Sequence, residues 1–362
     1  MKCFATTNSL QITPTGQVQP CCKFKQAFGG MEKLDDYFAL PELVELQQRH
    51  HQGDYTKNCN SCLINEQNGR QSRRQMYERI GLGATDFFLD VSMGNYCNLA
   101  CRMCGPENST KWQKPHSFLV NHGLEKAQNY KHHMLDKTDI SNIVDILRAQ
   151  TGRVIIEIKG GEPFIMPISQ EFFTALATCA NSFNFEIWMT SNLTVVPDWW
   201  YDLSKEFGVV EFNTSIDGLG HFYKYIRDEN QSSENLFMNI LELQQLNNHR
   251  IRFNIVVQNL NMNNLADLYD RCYFFVGNEK DITLIPLQDP AYYRPNIFPD
   301  NQKAAVLDDL EQSEIVNNRE FLGIVNYFSQ PCDPELWERF INISSALDKH
   351  RGQSLCSVMN VT

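Results

Sequence analysis

The chain has 362 residues, 42% of them hydrophobic and 11% aromatic, enough for one large domain and a smaller one around real cores. Its 32 Lys and Arg stand against 43 Asp and Glu, a formal net charge of −11, so it lacks the general attraction to phosphate backbones that a nucleic-acid partner requires. No run of eighteen apolar residues occurs and the start, "MKCFATTNSLQITPTGQ", has no apolar core, which argues against membrane spanning and secretion and for the cytoplasm.

Residues 1–84 read as a cysteine-bearing α+β unit with short strands and two helices, over 40–52 and 65–81. The basic stretch 69–79 is interspersed with polar residues at helical spacing and reads as a solvated helix face. After "GLGATD" the texture becomes alternating β and α. Strands are predicted over 87–93, 154–160, 185–191, 209–217, 251–258 and 282–288, with helices over 140–150, 170–180, 197–207, 234–246 and 265–275. Strands alternating with helices call for a parallel sheet with crossover helices. Six such units make the expected fold class α/β, a partial (β/α)6 TIM-type barrel over 85–290, with its chemistry at the C-terminal strand edge. Residues 291–362 form a helical C-terminal extension, expected to cover one mouth of the barrel.

Eight of the twelve cysteines precede residue 105. Disulfides explain them poorly in a chain without an export signal, because the cytosol keeps thiols reduced. The asymmetry favours metal or cluster ligation in the first third. The densest group is "YCNLACRMCGP", where Cys97, Cys101 and Cys104 are spaced C-x3-C-x2-C directly after the first barrel strand. Structural zinc takes four protein ligands. A 4Fe–4S cubane has four irons, so three thiolates leave one iron open to substrate or cofactor. A zinc knuckle on a loop is the plainer alternative.

"CNLACRMC" resembles the signature of the radical S-adenosylmethionine (radical SAM) enzymes, although Met103 stands where the family usually has an aromatic residue. The resemblance implies that Cys97, Cys101 and Cys104 bind a 4Fe–4S cluster whose fourth iron is chelated by SAM. Further matches follow in order at strand ends. Gly160, Gly161, Glu162 and Pro163 resemble the family's GGEP motif, whose glycines allow close backbone approach to a ligand. Ser191 and Asn192 in "MTSNLT" resemble ribose- or carboxylate-binding groups, and Ser215 and Asp217 in "NTSIDG" resemble its S-x-D-G pattern. Arg227 is a candidate partner for the SAM carboxylate, since guanidinium suits that shape. Val257 and Gln258 resemble the strand that lines the adenine. Singly these motifs are weak, because turns use the same residues; as an ordered set they are specific.

Cys3, Cys21, Cys59 and Cys62 resemble the twitch form of the SPASM/twitch extension, which implies one auxiliary 4Fe–4S cluster. Here it would precede the barrel, whereas in the family it follows. Cys22 is then a spare or an alternative ligand, expected to be dispensable since its side chain and that of Cys21 diverge on an extended strand; a structural zinc site remains the alternative. Cys179 and Cys272 read as small buried hydrophobes. Cys332 and Cys356 are weak candidates for a hydrogen-atom-donating thiol; otherwise the catalytic side chains are unknown. "RHHQ" and "KHH" place adjacent histidines on diverging faces, poor for one metal, and Trp199 and Trp200 read as packing.

The resemblance implies that SAM is cleaved reductively to a 5′-deoxyadenosyl radical that takes a hydrogen atom from substrate. A low-potential reductant such as flavodoxin or ferredoxin would supply the electron. Peptide or protein modification is the first expectation, and a sugar, nucleotide or amino acid substrate the second. A non-catalytic iron–sulfur or zinc protein is the rival from another class.

Overall fold

The computed structural model describes residues 3–67, 71–228 and 230–360. They form a mixed α/β fold with a parallel sheet, and the chain divides into two compact units. The first comprises Met1–Asn95, Lys131–Thr190 and Pro197–Glu211; the second comprises Tyr96–Tyr130, Ser191–Val196 and Phe212–Thr362.

In the first unit the strands stand in the order β3-β2-β1-β4-β5-β6. They are β1 (Ser9–Ile12), β2 (Gln17–Gln19), β3 (Gly29–Gly30), β4 (Phe87–Ser92), β5 (Val154–Lys159) and β6 (Phe185–Ser191). The last three run parallel, with Phe87 beside Val154 and Val154 beside Phe185. Strands covered on both faces need near-continuous apolar runs, and every residue of "FFLDVS" is buried. β1 joins this core parallel to β4, Leu10 beside Leu89, while β2 and β3 continue antiparallel.

The charged exceptions among these strands compensate one another. Lys159 Nζ lies 3.1 Å from both Asp90 and Glu157, and Arg73 pairs with Glu157 and lies 3.7 Å from Asp90. Two cations thus face two carboxylates, the condition under which buried charge is tolerated.

Before residue 85 the structure has four α-helices among the described residues, not two: Ala5–Asn8, Pro41–His51, Asn60–Gln67 and Arg73–Arg79. The helix expected over 65–81 is interrupted because Ser72 starts a new one. Its hydroxyl accepts from Gln75 N while the Gln75 side chain accepts from Ser72 N, a reciprocal capping box. Residues 68–70, which include the start of the basic stretch 69–79, lie outside the described residues.

β7 (Val209–Ser215) carries the chain from the first unit into the second, where β8 (His249–Val257) and β9 (Ile282–Pro286) pair in parallel, Phe253 beside Ile282. The strand expected to reach residue 217 stops at Ser215, which leaves Asp217 on the turn beyond it. Beyond residue 291 lie the helices Lys303–Glu311, Phe321–Phe328 and Pro334–Arg351. The last is bounded by its own chemistry: Asp333 accepts from Glu335 N and Leu336 N, and Gly352 closes it at φ +68°. Among the described residues no helix is long and apolar enough to cross a membrane.

Candidate functional site

The second unit holds the Cys97–Cys104 loop. Its turns are fixed from within: Cys104 N donates to Cys101 O at 2.9 Å, and Trp112 Nε1 donates to the same carbonyl at 2.7 Å. Cys101 is buried, while Cys97 and Cys104 are half-buried. A hydrogen bond between Cys104 and Cys101 lowers the Cys101 pKa against the effect of burial, and that bond together with burial pushes Cys104 well up. The Arg227 guanidinium acts on both thiols in favour of the thiolate. Cys97 Sγ receives Leu99 N at 3.5 Å and the Asn192 amide at 4.0 Å. Three sulfurs, two in mutual contact and set among N–H donors and a cation, are a donor set suited to thiolate ligation.

Arg102, between the second and third cysteines, holds this loop in place. Its side chain is fully buried; Nε donates to Tyr225 O at 2.9 Å, Nη2 pairs with Asp348, and the guanidinium lies 3.7 Å from the Tyr225 ring centroid. The backbone joins in, with Arg102 N donating to Ile226 O at 2.7 Å. Its position between two cysteines gave no hint of this anchoring, because all its partners come from distant sequence.

Asp217 and Arg227, read from sequence as separate cofactor contacts, are paired with each other. Arg227 Nε and Nη2 both reach Asp217 Oδ2, at 2.8 and 2.7 Å, while Val256 N donates to Oδ1 at 2.9 Å. Burial raises the Asp217 pKa and the Arg227 charge offsets part of that rise. Burial opposes the charge on Arg227, but the Asp217 carboxylate prevails and its pKa is raised.

Ser191 ends β6 and Asn192 follows it, just before Leu193 takes φ +47°. Ser191 Oγ accepts from Leu193 N at 3.0 Å, and Asn192 Oδ1 accepts from Thr194 N at 2.9 Å while its amide reaches Asn98 Oδ1 at 3.1 Å. That last bond ties the strand end to the cysteine loop. Ser215 is half-buried, and Val257 is buried at the end of β8. Gln258 is buried with its Nε2 unpartnered among the described residues, an orphan donor of the kind a bound ligand satisfies.

Gly160, Gly161, Glu162 and Pro163 belong to the first unit. Gly160 has φ +88°, and a Cβ there would lie 2.4 Å from Ser92 Oγ and 2.5 Å from Gly94 O, so only glycine fits. Ser92 Oγ is itself buried without a partner among the described residues. Glu162 is buried and accepts from Phe164 N at 3.4 Å.

Also in the first unit, Cys3, Cys21, Cys59 and Cys62 line one small cavity of about 30 Å³ together with His50 and Arg74. Burial first, and then neighbouring thiols of the same group, raise Cys3 to about 11 and Cys21 to about 12. Thiols that raise one another's pKa are close together, and a metal resolves that repulsion by taking the thiolates. Cys22 does not line this cavity. It sits in the turn after β2, not on a strand, and its electrostatic neighbours are Arg73, Asp90, Lys159 and Glu157. Among the described residues no three His, Cys, Asp or Glu side chains stand in the arrangement of a single-ion metal site.

In the sequence His50 reads only as half of a histidine pair. The spacing Leu43, Leu46, His50 on the Pro41–His51 helix is the signal that puts it inside, since all three are buried. Of the two thiols weighed as hydrogen-atom donors, Cys332 is half-buried beside Asp333 O at 3.8 Å and Cys356 is exposed. Neither lines the cavity of about 570 Å³ that opens against Cys104. That cavity is walled by Trp112, His116, Tyr292 and the paired Glu125 and Arg339, with Glu107 and Asp289 adding carboxylates.

Residues 91–272, just over half of the chain, match the family model described as the Radical SAM superfamily. No curated protein matches the chain. Among solved structures, native anSMEcpe with bound AdoMet is similar at 16% identity and a TM-score of 0.43, covering 66% of this chain and 62% of its own. Streptococcus suis SuiB bound to the precursor peptide SuiA is similar at 11% identity and a TM-score of 0.39, covering 86% of this chain and 69% of its own. TYW1 with a lysine–pyruvate adduct bound is similar at 14% identity and a TM-score of 0.33, covering 75% and 90%. The chain thus spans less than two thirds of the length of the first of these.

Proposed function

The chain belongs to the radical SAM superfamily and is a radical SAM enzyme, and from that premise we propose that it modifies a side chain or backbone position of a peptide or protein. Membership implies a 4Fe–4S cluster and SAM; we assign the cluster to Cys97, Cys101 and Cys104. When bound, cluster and SAM supply reductive C–S cleavage and a 5′-deoxyadenosyl radical that takes a hydrogen atom from substrate. The observation that carries this assignment is the contact of Cys101 with Cys104 beside Arg227, with Asn192 at Cys97.

The chain's own residues have distinct tasks in this reading. Gly160, Gly161 and Glu162 would hold the methionyl end of SAM, and Val257 and Gln258 its adenine. Ser191 and Asn192 fix the end of β6, Ser215 would contact the cofactor, and the Arg227 charge of the Asp217–Arg227 pair favours the thiolates. The cavity beside Cys104 takes the substrate; its size is that of a site for one side chain or a small molecule, so a small-molecule substrate is the second reading. We further propose a partial (β/α)6 barrel over 85–290, a twitch-like unit over 1–84 with an auxiliary 4Fe–4S cluster on Cys3, Cys21, Cys59 and Cys62, and a helical extension over 291–362. A cytoplasmic flavodoxin or ferredoxin serves as reductant.

Anaerobically reconstituted protein should hold about eight irons, two cubanes' worth, and the C97A/C101A/C104A variant about four. C22A should keep the full complement, because Cys22 lies outside the four-thiol cavity. Zinc without iron in the triple variant would make the N-terminal site structural. Glu162→Ala should weaken SAM binding at least tenfold with iron content unchanged, since losing a hydrogen bond to a charged group costs about 1.5–3 kcal/mol. Calorimetric titration of reconstituted protein with SAM measures it, and unchanged affinity would remove Glu162 from the pocket.

A further inference from the structure

His50 is built into the four-thiol cavity. It is 3% exposed, and its Nε2 lies 3.5 Å from Cys59 Sγ. The Tyr55 ring packs on it at 4.9 Å, tilted by 59°. Its Nδ1 is buried without a partner among the described residues. The imidazole also lines a second cavity, of about 460 Å³, with Cys3, Gln47 and Tyr77. His50, like Cys3, therefore borders both the thiol cavity and the larger one.

A cysteine that ligates metal has given up its proton, so its sulfur can then only accept. The nitrogen in contact with Cys59 is Nε2, which must be the donor. We propose that His50 is a positioning residue that sets the reduction potential of the N-terminal site by donating Nε2–H to the sulfur of Cys59. This rests on the reading that Cys3, Cys21, Cys59 and Cys62 hold an iron–sulfur cluster. Four thiolates already supply the four irons of a cubane, so the imidazole is not needed as a ligand. One-electron reduction adds a negative charge to the cluster and its sulfurs. A fixed donor against one sulfur stabilises the reduced form more than the oxidised form and raises the potential.

The test uses the full chain carrying C97A/C101A/C104A, so that only the N-terminal cluster is read. Reconstituted anaerobically, this protein and its H50L and H50Q derivatives are compared by iron content and by redox titration followed by electron paramagnetic resonance. H50L should retain about four irons. Its one-electron reduction should be about tenfold less favourable, a potential lower by about 59 mV. H50Q, whose amide can still donate, should recover most of that shift. An unshifted potential in H50L with iron retained would overturn the proposal. Loss of iron from both H50L and H50Q would make His50 a ligand or a packing element and overturn it as well. A background protein that holds zinc and no iron would overturn the cluster reading itself, and the proposal with it, a result distinct from either of the others.

Discussion

Replacing Cys97, Cys101 and Cys104 together by alanine is expected to abolish SAM cleavage and to leave the fold standing. These thiols lie on a loop whose shortest anchoring contacts do not pass through sulfur; only the long Leu99 N and Asn192 contacts to Cys97 Sγ and the Cys101–Cys104 contact would be lost. Arg102 is anchored on Tyr225, Ile226 and Asp348, and Trp112 on the Cys101 carbonyl. Only Cys101 of the three is buried, so the packing lost is small. Circular dichroism and the urea midpoint should stay near those of the wild type without cluster, while 5′-deoxyadenosine falls to background. The loss should be complete because no fourth thiol shares the loop to substitute for a missing ligand. Unchanged 5′-deoxyadenosine in the triple variant would contradict the assignment of this loop.

The second large effect concerns the pair beneath the loop. Arg227→Met leaves the fully buried Asp217 carboxylate with the Val256 amide but without its counter-charge. Breaking a buried pair from one side costs about 3–5 kcal/mol. D217N should cost a comparable amount by stranding the guanidinium, and the D217N/R227M double variant should recover part of the loss, since neither charge then remains. The pH dependence has a definite sign. Burial raises the Asp217 pKa in the folded state, and removing Arg227 takes away the main opposing influence. The folded state then binds a proton that the unfolded state has released, so R227M stability falls as pH rises through the carboxylate range and is partly regained as pH is lowered. Urea denaturation of all three variants at two pH values measures this. An R227M variant within about 0.5 kcal/mol of wild type, the range of a surface substitution, would show that the pair contributes nothing to the fold.

The parallel strands were legible because they are short apolar runs ended by polar turns. "FEIWMTS" became β6 over the expected residues, and "VIIEIKG" lost only its glycine. Helices announced by an apolar stripe were also legible, as with "LADLYDRCYFF", which runs one residue further and ends where Gly277 takes φ +64°. The new helix start at Ser72 was not legible because helical spacing continues through it, while the Ser72–Gln75 capping box is a four-residue signal. The pairing of Asp217 with Arg227, the anchoring of Arg102 and the contact of His50 with Cys59 were not legible. Each depends on residues brought together by the fold: 10 residues apart in the first case, 246 from Arg102 to Asp348 in the second, and 9 from His50 to Cys59 in the third. Spacing rules for turns and helices do not reach such contacts. The thiols were the opposite case, since a cluster loop carries its donors within one short stretch and advertises them locally.

The measurement that bears most directly on the central claim is product analysis of the wild-type protein. Anaerobically reconstituted enzyme is incubated with SAM and dithionite, and 5′-deoxyadenosine and methionine are quantified by mass spectrometry. A radical SAM enzyme built on Cys97, Cys101 and Cys104 should release both in equal amounts, only under reducing conditions and only with the cluster loaded. A fully loaded protein that leaves SAM intact under those conditions would contradict the account.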